Sequence, residues 1–233
     1  MPATARGRAR GDGDERRVPL DRDAIVETAQ RVLERDGLRG LTMRRIGAEL
    51  GIDPAAVYRH FRNKDELVVA LADRAFAGIP VPDPGFSWQE RLRAGLRGAL
   101  DLYRSNPDFA IALSHQPDDT PGLERIAEMI LGLLAEAGLD PRERAYAYQL
   151  LTNYAVGSGL YISQLTLDDW GPGTIPQVRR TYAALPGQTH PNCVASAEHL
   201  WPDQDEAFEM GVDMLIAGIE RLARDGTTTE ERT

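Results

Sequence analysis

The stretch LTMRRIGAELGIDPAAVYRHFRNK, Leu41–Lys64, decides the fold. It contains the parts of two short helices joined by a tight turn. Thr42 is placed to cap a helix that runs to Leu50, with Ile46 and Leu50 one turn apart on its inner face. Gly47 lets a second helix approach closely, and Gly51 supplies the positive φ that the turn requires. Asp53 caps the second helix and Pro54 occupies its first position, where no amide hydrogen is needed. Ile52 and Val57 close the small core from the other side. The spacing is that of a helix-turn-helix, whose second helix enters a DNA major groove. It places Ala55 and Ala56 outward at the reading end, where small side chains admit base edges and thymine methyls, and Tyr58, Arg59 and His60 behind them for phosphates or stacking.

Outward from this segment the helical pattern continues. Asp21 or Asp23 opens a helix with Ile25, Ala29, Val32 and Leu33 on one face, and Gly37 stops it. Asn63 with Glu66 forms a capping box for a fourth helix, Lys64 to about Ala77. The proline-rich stretch Ile79–Gly85 marks a boundary. Beyond it, caps recur at Ser87/Glu90, Asn106-Pro107, Thr120-Pro121 and Asp140-Pro141/Glu143, with a short helix near Gln177–Ala184. A final helix from Asp203 to about Arg224 carries Phe208, Val212, Leu215, Ile219 and Leu222 on one stripe, and the tail after Gly226 is read as frayed. No alternating strand pattern occurs. The expected class is all-α with about nine or ten helices. A disordered arginine-containing arm spans 1–19, a three-helix DNA-binding head 20–78, and a larger ligand-binding and dimerisation part 86–226.

A net charge of −9, taken as a total, argues against a nucleic-acid partner. Its distribution reverses that reading. Residues 1–75 carry 15 Arg/Lys against 13 Asp/Glu, while the remaining 158 carry 12 against 23. Between Arg39 and Lys64, six basic residues face only Glu49 and Asp53, so the electropositive footprint lies in the helix-turn-helix. A single cysteine, Cys193, excludes an internal disulfide framework and fits a cytoplasmic setting, and no apolar run is long enough to span a membrane.

The segment LDRDAIVETAQRVLERDGLRGLTMRRIGAELGIDPAAVYRHFRNKDELVVAL resembles the DNA-binding domain of the TetR family, notably in G-L-R-G-L-T, G-I-D-P-A-A-V-Y and Y-x-H-F-x-N-K. The resemblance implies a ligand-responsive transcriptional regulator, usually a repressor, that binds a palindromic double-stranded DNA operator as a homodimer. It further implies that Arg44 touches a base or phosphate, that Pro54, Ala55 and Ala56 face bases, and that Tyr58, His60 and Lys64 hold phosphates. Arg59 stands where the family varies and is a candidate base reader.

After residue 85 the chain is similar to the tetracycline-repressor type of C-terminal domain. Dimerisation is expected through the long helix from Pro141 and the final helix, in a four-helix bundle with a second copy, with Met210, Met214 and Ile216 widening the apolar surface. Tyr103, Phe109, His115, Gln116, Asn153, Tyr154 and Tyr161, together with Trp170, are candidate pocket residues for a partly aromatic or apolar effector. His115-Gln116 interrupts an apolar helix just before a loop.

Enzyme readings are weaker. His190, Cys193 and His199 lack the tight pairing of a zinc site, and Asp118-Asp119 and Asp168-Asp169 read as loop ends or caps. No HExxH, GxSxG, Walker or GxGxxG motif is present, so no cofactor or metal is expected. An effector-independent architectural DNA-binding protein and an all-α enzyme with a DNA-binding head are the alternatives.

Overall fold

The computed structural model describes residues 21–105, 110, 120–167 and 173–230, with the side chains of 164–167 and 226–230 left aside. The expected arm 1–19 lies outside these residues, as do Asn106-Pro107, Phe109, His115-Gln116, Asp118-Asp119, Asp168-Asp169 and Trp170. The regular elements among the described residues are α-helices and one 3-10 turn, Ala197–His199, with no strand. The α-helices are α1 (Arg22–Gly40), α2 (Met43–Leu50), α3 (Pro54–Tyr58), α4 (Lys64–Ala77), α5 (Trp88–Ser105), α6 (Pro121–Glu136), α7 (Pro141–Leu167), α8 (Thr174–Ala183), α9 (Pro191–Ser196) and α10 (Gln204–Glu230).

Helix starts follow local capping chemistry. The Asp21 carboxylate accepts from the Ala24 amide at 2.7 Å, and Asn63 accepts from Glu66 at 2.8 Å. Ser87 and Glu90 bond reciprocally, and the serine hydroxyl and amide hold the Glu90 carboxyl below its usual range. Asp140 accepts from the amides of Arg142 and Glu143 at 2.7 and 2.8 Å. At Gly37 the backbone leaves the helix (φ 67°, ψ −179°), a conformation open to glycine, and one more turn follows to Gly40.

Thr120 departs from expectation. Pro121 takes the first position of α6, yet the Thr120 hydroxyl makes no cap and is buried without a partner among the described residues. The cap comes instead from another helix: Asp73 of α4 accepts from the Gly122 amide at 2.6 Å.

The first four helices enclose one core, with Ile25, Leu41, Ile46, Val57, Phe61 and Leu67 fully buried. A second core joins α5, α6, α7 and α10 through residues such as Leu96, Leu134, Leu151 and Val212. Ion pairs lace α5 to α10: Arg93 and Arg97 both reach Glu209, Arg93 also reaches Asp213, and Arg104 meets Asp205 at 2.5 Å. Residues 174–201 fold largely on themselves. Arg179 donates to the carbonyls of Leu200 and Trp201, and Tyr182 packs edge-on against Trp201. The short helix α9 was hidden in the sequence by surrounding loop-forming residues.

The final helix runs to Glu230, past Gly226, since a helix already propagating tolerates weak formers at its end. Its buried face is Phe208, Val212, Ile216 and Ile219, whereas Leu222 is 44% exposed and so leaves the expected stripe. Tyr154 of α7 stacks on Phe208 (centroids 5.4 Å apart) and donates to the Phe208 carbonyl at 2.9 Å. Gly211 makes room for that phenol, because a Cβ there would lie 2.0 Å from its oxygen. Replacing Gly211 by Ala is therefore expected to displace Tyr154 and cost about 1–3 kcal/mol. A melting curve should show the loss as a Tm fall of several degrees.

Candidate nucleic-acid interface and ligand cavity

The first part of the site is the α2–α3 unit. Thr42 accepts from the Arg45 amide at 3.1 Å, and Gly51 turns the chain at φ 65° while Ile52 donates to the Gly47 carbonyl at 2.9 Å. A Cβ on Gly47 would sit 3.1 Å from the Ile52 carbonyl and 3.3 Å from Pro54, so this glycine sets the approach of the two helices. Asp53 accepts from the Ala55 amide at 2.8 Å and starts α3.

On the outer surface the structure exposes Arg44, Ala55, Tyr58 and Arg59, with Pro54 and His60 half-buried. Ala56 corrects the sequence reading: it is 6% exposed and turns inward beside Val57, because on so short a helix its neighbour Ala55 occupies the outward position. Lys64 is half-buried, and its ammonium donates to the Leu38 carbonyl at 2.7 Å, which draws it toward the end of α1. Of the adjacent arginines at the start of α2, Arg45 is paired with Asp36 and Glu49, whereas Arg44 has no ion pair among the described residues.

One positioning group was missed from sequence. The Arg22 guanidinium lies 4.1 Å over the Phe61 ring, donates to the His60 carbonyl at 2.9 Å and meets Glu66 at 3.1 Å. The Arg62 amide, and after it Arg22, hold the Glu66 carboxyl below its usual range. This clasp fixes the end of α3 to α1 and α4. Its partners lie 38 and 44 residues apart, beyond any local pattern.

The second part is a cavity of about 510 Å³ between α5, α6 and α7, reached also by the end of α4. Its walls are mainly apolar, among them Phe76, Ile79, Leu96, Ile126 and Met129. Two of the expected pocket residues line it. Tyr103 is buried, which pushes its phenol up to about 12, and Asn153 sits at the exposed rim. Tyr154 faces α10 instead, and Tyr161 is 43% exposed on the outer surface. The described residues contain no group of His, Cys, Asp and Glu arranged to hold a metal, and no helix long and apolar enough to cross a membrane.

A joint connects the two parts. Besides the Asp73–Gly122 bond, one nitrogen of Arg125 on α6 donates to the carbonyls of Phe76, Ala77 and Ile79 at 2.9–3.0 Å. The same stretch of α6 presents Leu123 and Ile126 to the cavity. A helix of the cavity wall is thus bound directly to the helix that packs against α1 in the head.

Comparison with known proteins agrees with this arrangement. The family model for bacterial regulatory proteins of the tetR family matches residues 25–71, and that for the tetracyclin repressor-like C-terminal domain matches residues 81–223. The HTH-type transcriptional repressor DrrR1 of Streptomyces coeruleorubidus is 30% identical over 93% of this chain and 82% of its own. The tetracycline repressor protein class C of Escherichia coli is 28% identical over 87% of this chain and 92% of its own. The crystal structure of ActR from Streptomyces coelicolor in complex with actinorhodin superposes with a TM-score of 0.78 at 29% identity, covering 86% of this chain and 95% of that one. The C-terminal model alone spans more than half of the sequence, and the chain belongs to the TetR family of bacterial transcriptional regulators.

Proposed function

We propose that the protein is a ligand-responsive repressor that grips a palindromic operator as a homodimer and releases it when a small molecule fills the cavity between α5, α6 and α7. The observation that carries this reading is the joint: Phe76 and Ile79 line the cavity, and their carbonyls are held by Arg125 of the cavity wall. A ligand that prefers a shifted α6 shifts α4, and with it the head. Two heads reading half-sites one turn apart must stand about 34–36 Å from each other, so a small tilt of α4 weakens binding.

On DNA, Pro54 and Ala55 face bases, Arg59 reads a base edge, and Arg44, Tyr58 and His60 engage bases or phosphates. Lys64 reaches a phosphate only if it gives up or shares the Leu38 carbonyl. Dimerisation uses α7 and α10, which leave Tyr146, Leu150, Met210 and Met214 from 59 to 71% exposed on the single chain. An apolar surface of that kind calls for a partner. The relatives are transcriptional regulators, in keeping with a protein that works by binding rather than turnover.

The test is operator binding followed by fluorescence anisotropy. Wild-type protein should prefer one short palindrome over random duplex, with affinity falling steeply as salt rises; equal affinity for random DNA would sink the proposal. Arg44→Ala should weaken operator binding by about 1–3 kcal/mol while leaving the melting temperature in place. Gly122→Ala should behave as though effector were present. Its Cβ would lie 2.5 Å from the Asp73 carbonyl and 2.8 Å from the Asp73 carboxylate, so α4 must move. Operator affinity should fall several-fold without any ligand. Wild-type affinity in this variant would mean that the joint does not couple the cavity to the head.

A further inference from the structure

The cavity has two unlike ends. Gly122 and Arg125 fix the start of α6 against α4, and the cavity residues nearest them are Phe76, Ile79, Leu123 and Tyr103. At the other end of α6 lies Glu136, paired with Arg91 near the start of α5. From Tyr103 back to Arg91 is twelve residues of helix, about 18 Å at 1.5 Å per residue. The space is therefore a long, mainly apolar slot with Arg91 at the end remote from α4.

Arg91 lines this slot, and its side chain is 16% exposed. Its Nε donates to the Phe86 carbonyl at 3.0 Å and its Nη2 meets the Glu136 carboxylate. Its Nη1 carries no hydrogen bond among the described residues. Glu136 is half exposed and can turn to solvent, whereas Arg91 is more deeply buried and is also held by the Phe86 carbonyl. A guanidinium held at one end of a mainly apolar slot, neutralised by a carboxylate free to leave, is a receptor for a second carboxylate.

We infer that the effector is an elongated amphipathic acid. Its carboxylate is received by Arg91 at the end remote from α4, and its apolar body lies along Leu92, Leu96 and Met129 to reach Phe76 and Ile79. This deepens the reading of the cavity as the effector site and rests on it. The acid anchors the ligand and the apolar end acts on α4, so a molecule lacking the acid binds weakly, and one too short to reach Phe76 binds without effect.

The test uses pyrenebutanoate and its methyl ester, a fluorescent arene with and without the charge, titrated into wild-type protein and the variants Arg91→Met and Glu136→Gln. In wild type the acid should bind roughly tenfold or more tightly than the ester, the worth of one charge-assisted hydrogen bond. Arg91→Met should abolish that difference and leave the ester unchanged. Glu136→Gln should tighten the acid several-fold and leave the ester unchanged, because the competing carboxylate is gone. A purely structural Arg91–Glu136 pair would instead make both variants weaken both probes. Equal binding of acid and ester to wild type, survival of the preference in Arg91→Met, or no binding of either probe would each overturn the inference. The same titrations with labelled operator separate the two readings. Displacement by acid and ester alike keeps the effector site and discards the acid anchor. Acid binding through Arg91 without displacement keeps the anchor and discards the response.

Discussion

The hydrogen bond from the Gly122 amide to the Asp73 carboxylate does more than its own free energy suggests. A helix that begins with proline still has orphan amides in its first turn, and Thr120, the residue before it, does not serve them. The start of α6 is completed by α4, and the end of α4 is held in turn by Arg125 of α6. Neither helix can shift alone without stranding polar groups that belong to the other. Charge-assisted bonds of this kind are worth about 1.5–3 kcal/mol each. Moving a two-state equilibrium from one extreme to the other takes about 5.5 kcal/mol. Two such bonds together are of the order that the proposed coupling requires.

Charge is arranged to leave the reading face its cations. In the body, Arg93, Arg97 and Arg104 of α5 are committed to carboxylates of α10, and Asp213, then Glu209, hold the Arg93 guanidinium even more firmly protonated than usual. In the head, Arg35 and Arg45 share Asp36 and Glu49. Arg44 and Arg59 are outside these networks among the described residues. A chain with a net charge of −9 can thus meet a polyanion, because its excess acid is distributed over a part that need not approach it.

What could be read from the sequence was whatever is settled within a turn or two of helix. The caps at Asp21, Thr42, Asp53, Asn63, Ser87 and Asp140, and the left-handed turn at Gly51, are local, and the structure has each of them. Contacts between distant segments were not legible. Thr120 had every mark of a cap and is none, because a carboxylate 47 residues earlier reaches the helix first. The Arg22 clasp over Phe61 and the Arg91–Glu136 pair give no periodic signal, and both shape a site. Aromatic residues on α7 were read as one group, yet helical rotation sends Tyr154 to α10 and Tyr161 to the surface. His115 and Gln116 lie outside the described residues.

The inward turn of Ala56 has a bearing on information. With that methyl buried, the proposed reading face keeps only Pro54, Ala55 and Arg59 for base edges, flanked by groups better suited to the backbone. Each base pair so discriminated is worth about 1–3 kcal/mol, against a genome that presents on the order of a million or more competing sites. A single head of this kind can name too few bases to be found at one address. Selectivity then depends on reading two short words at a fixed distance, and a molecule that alters the distance erases the address without touching either word.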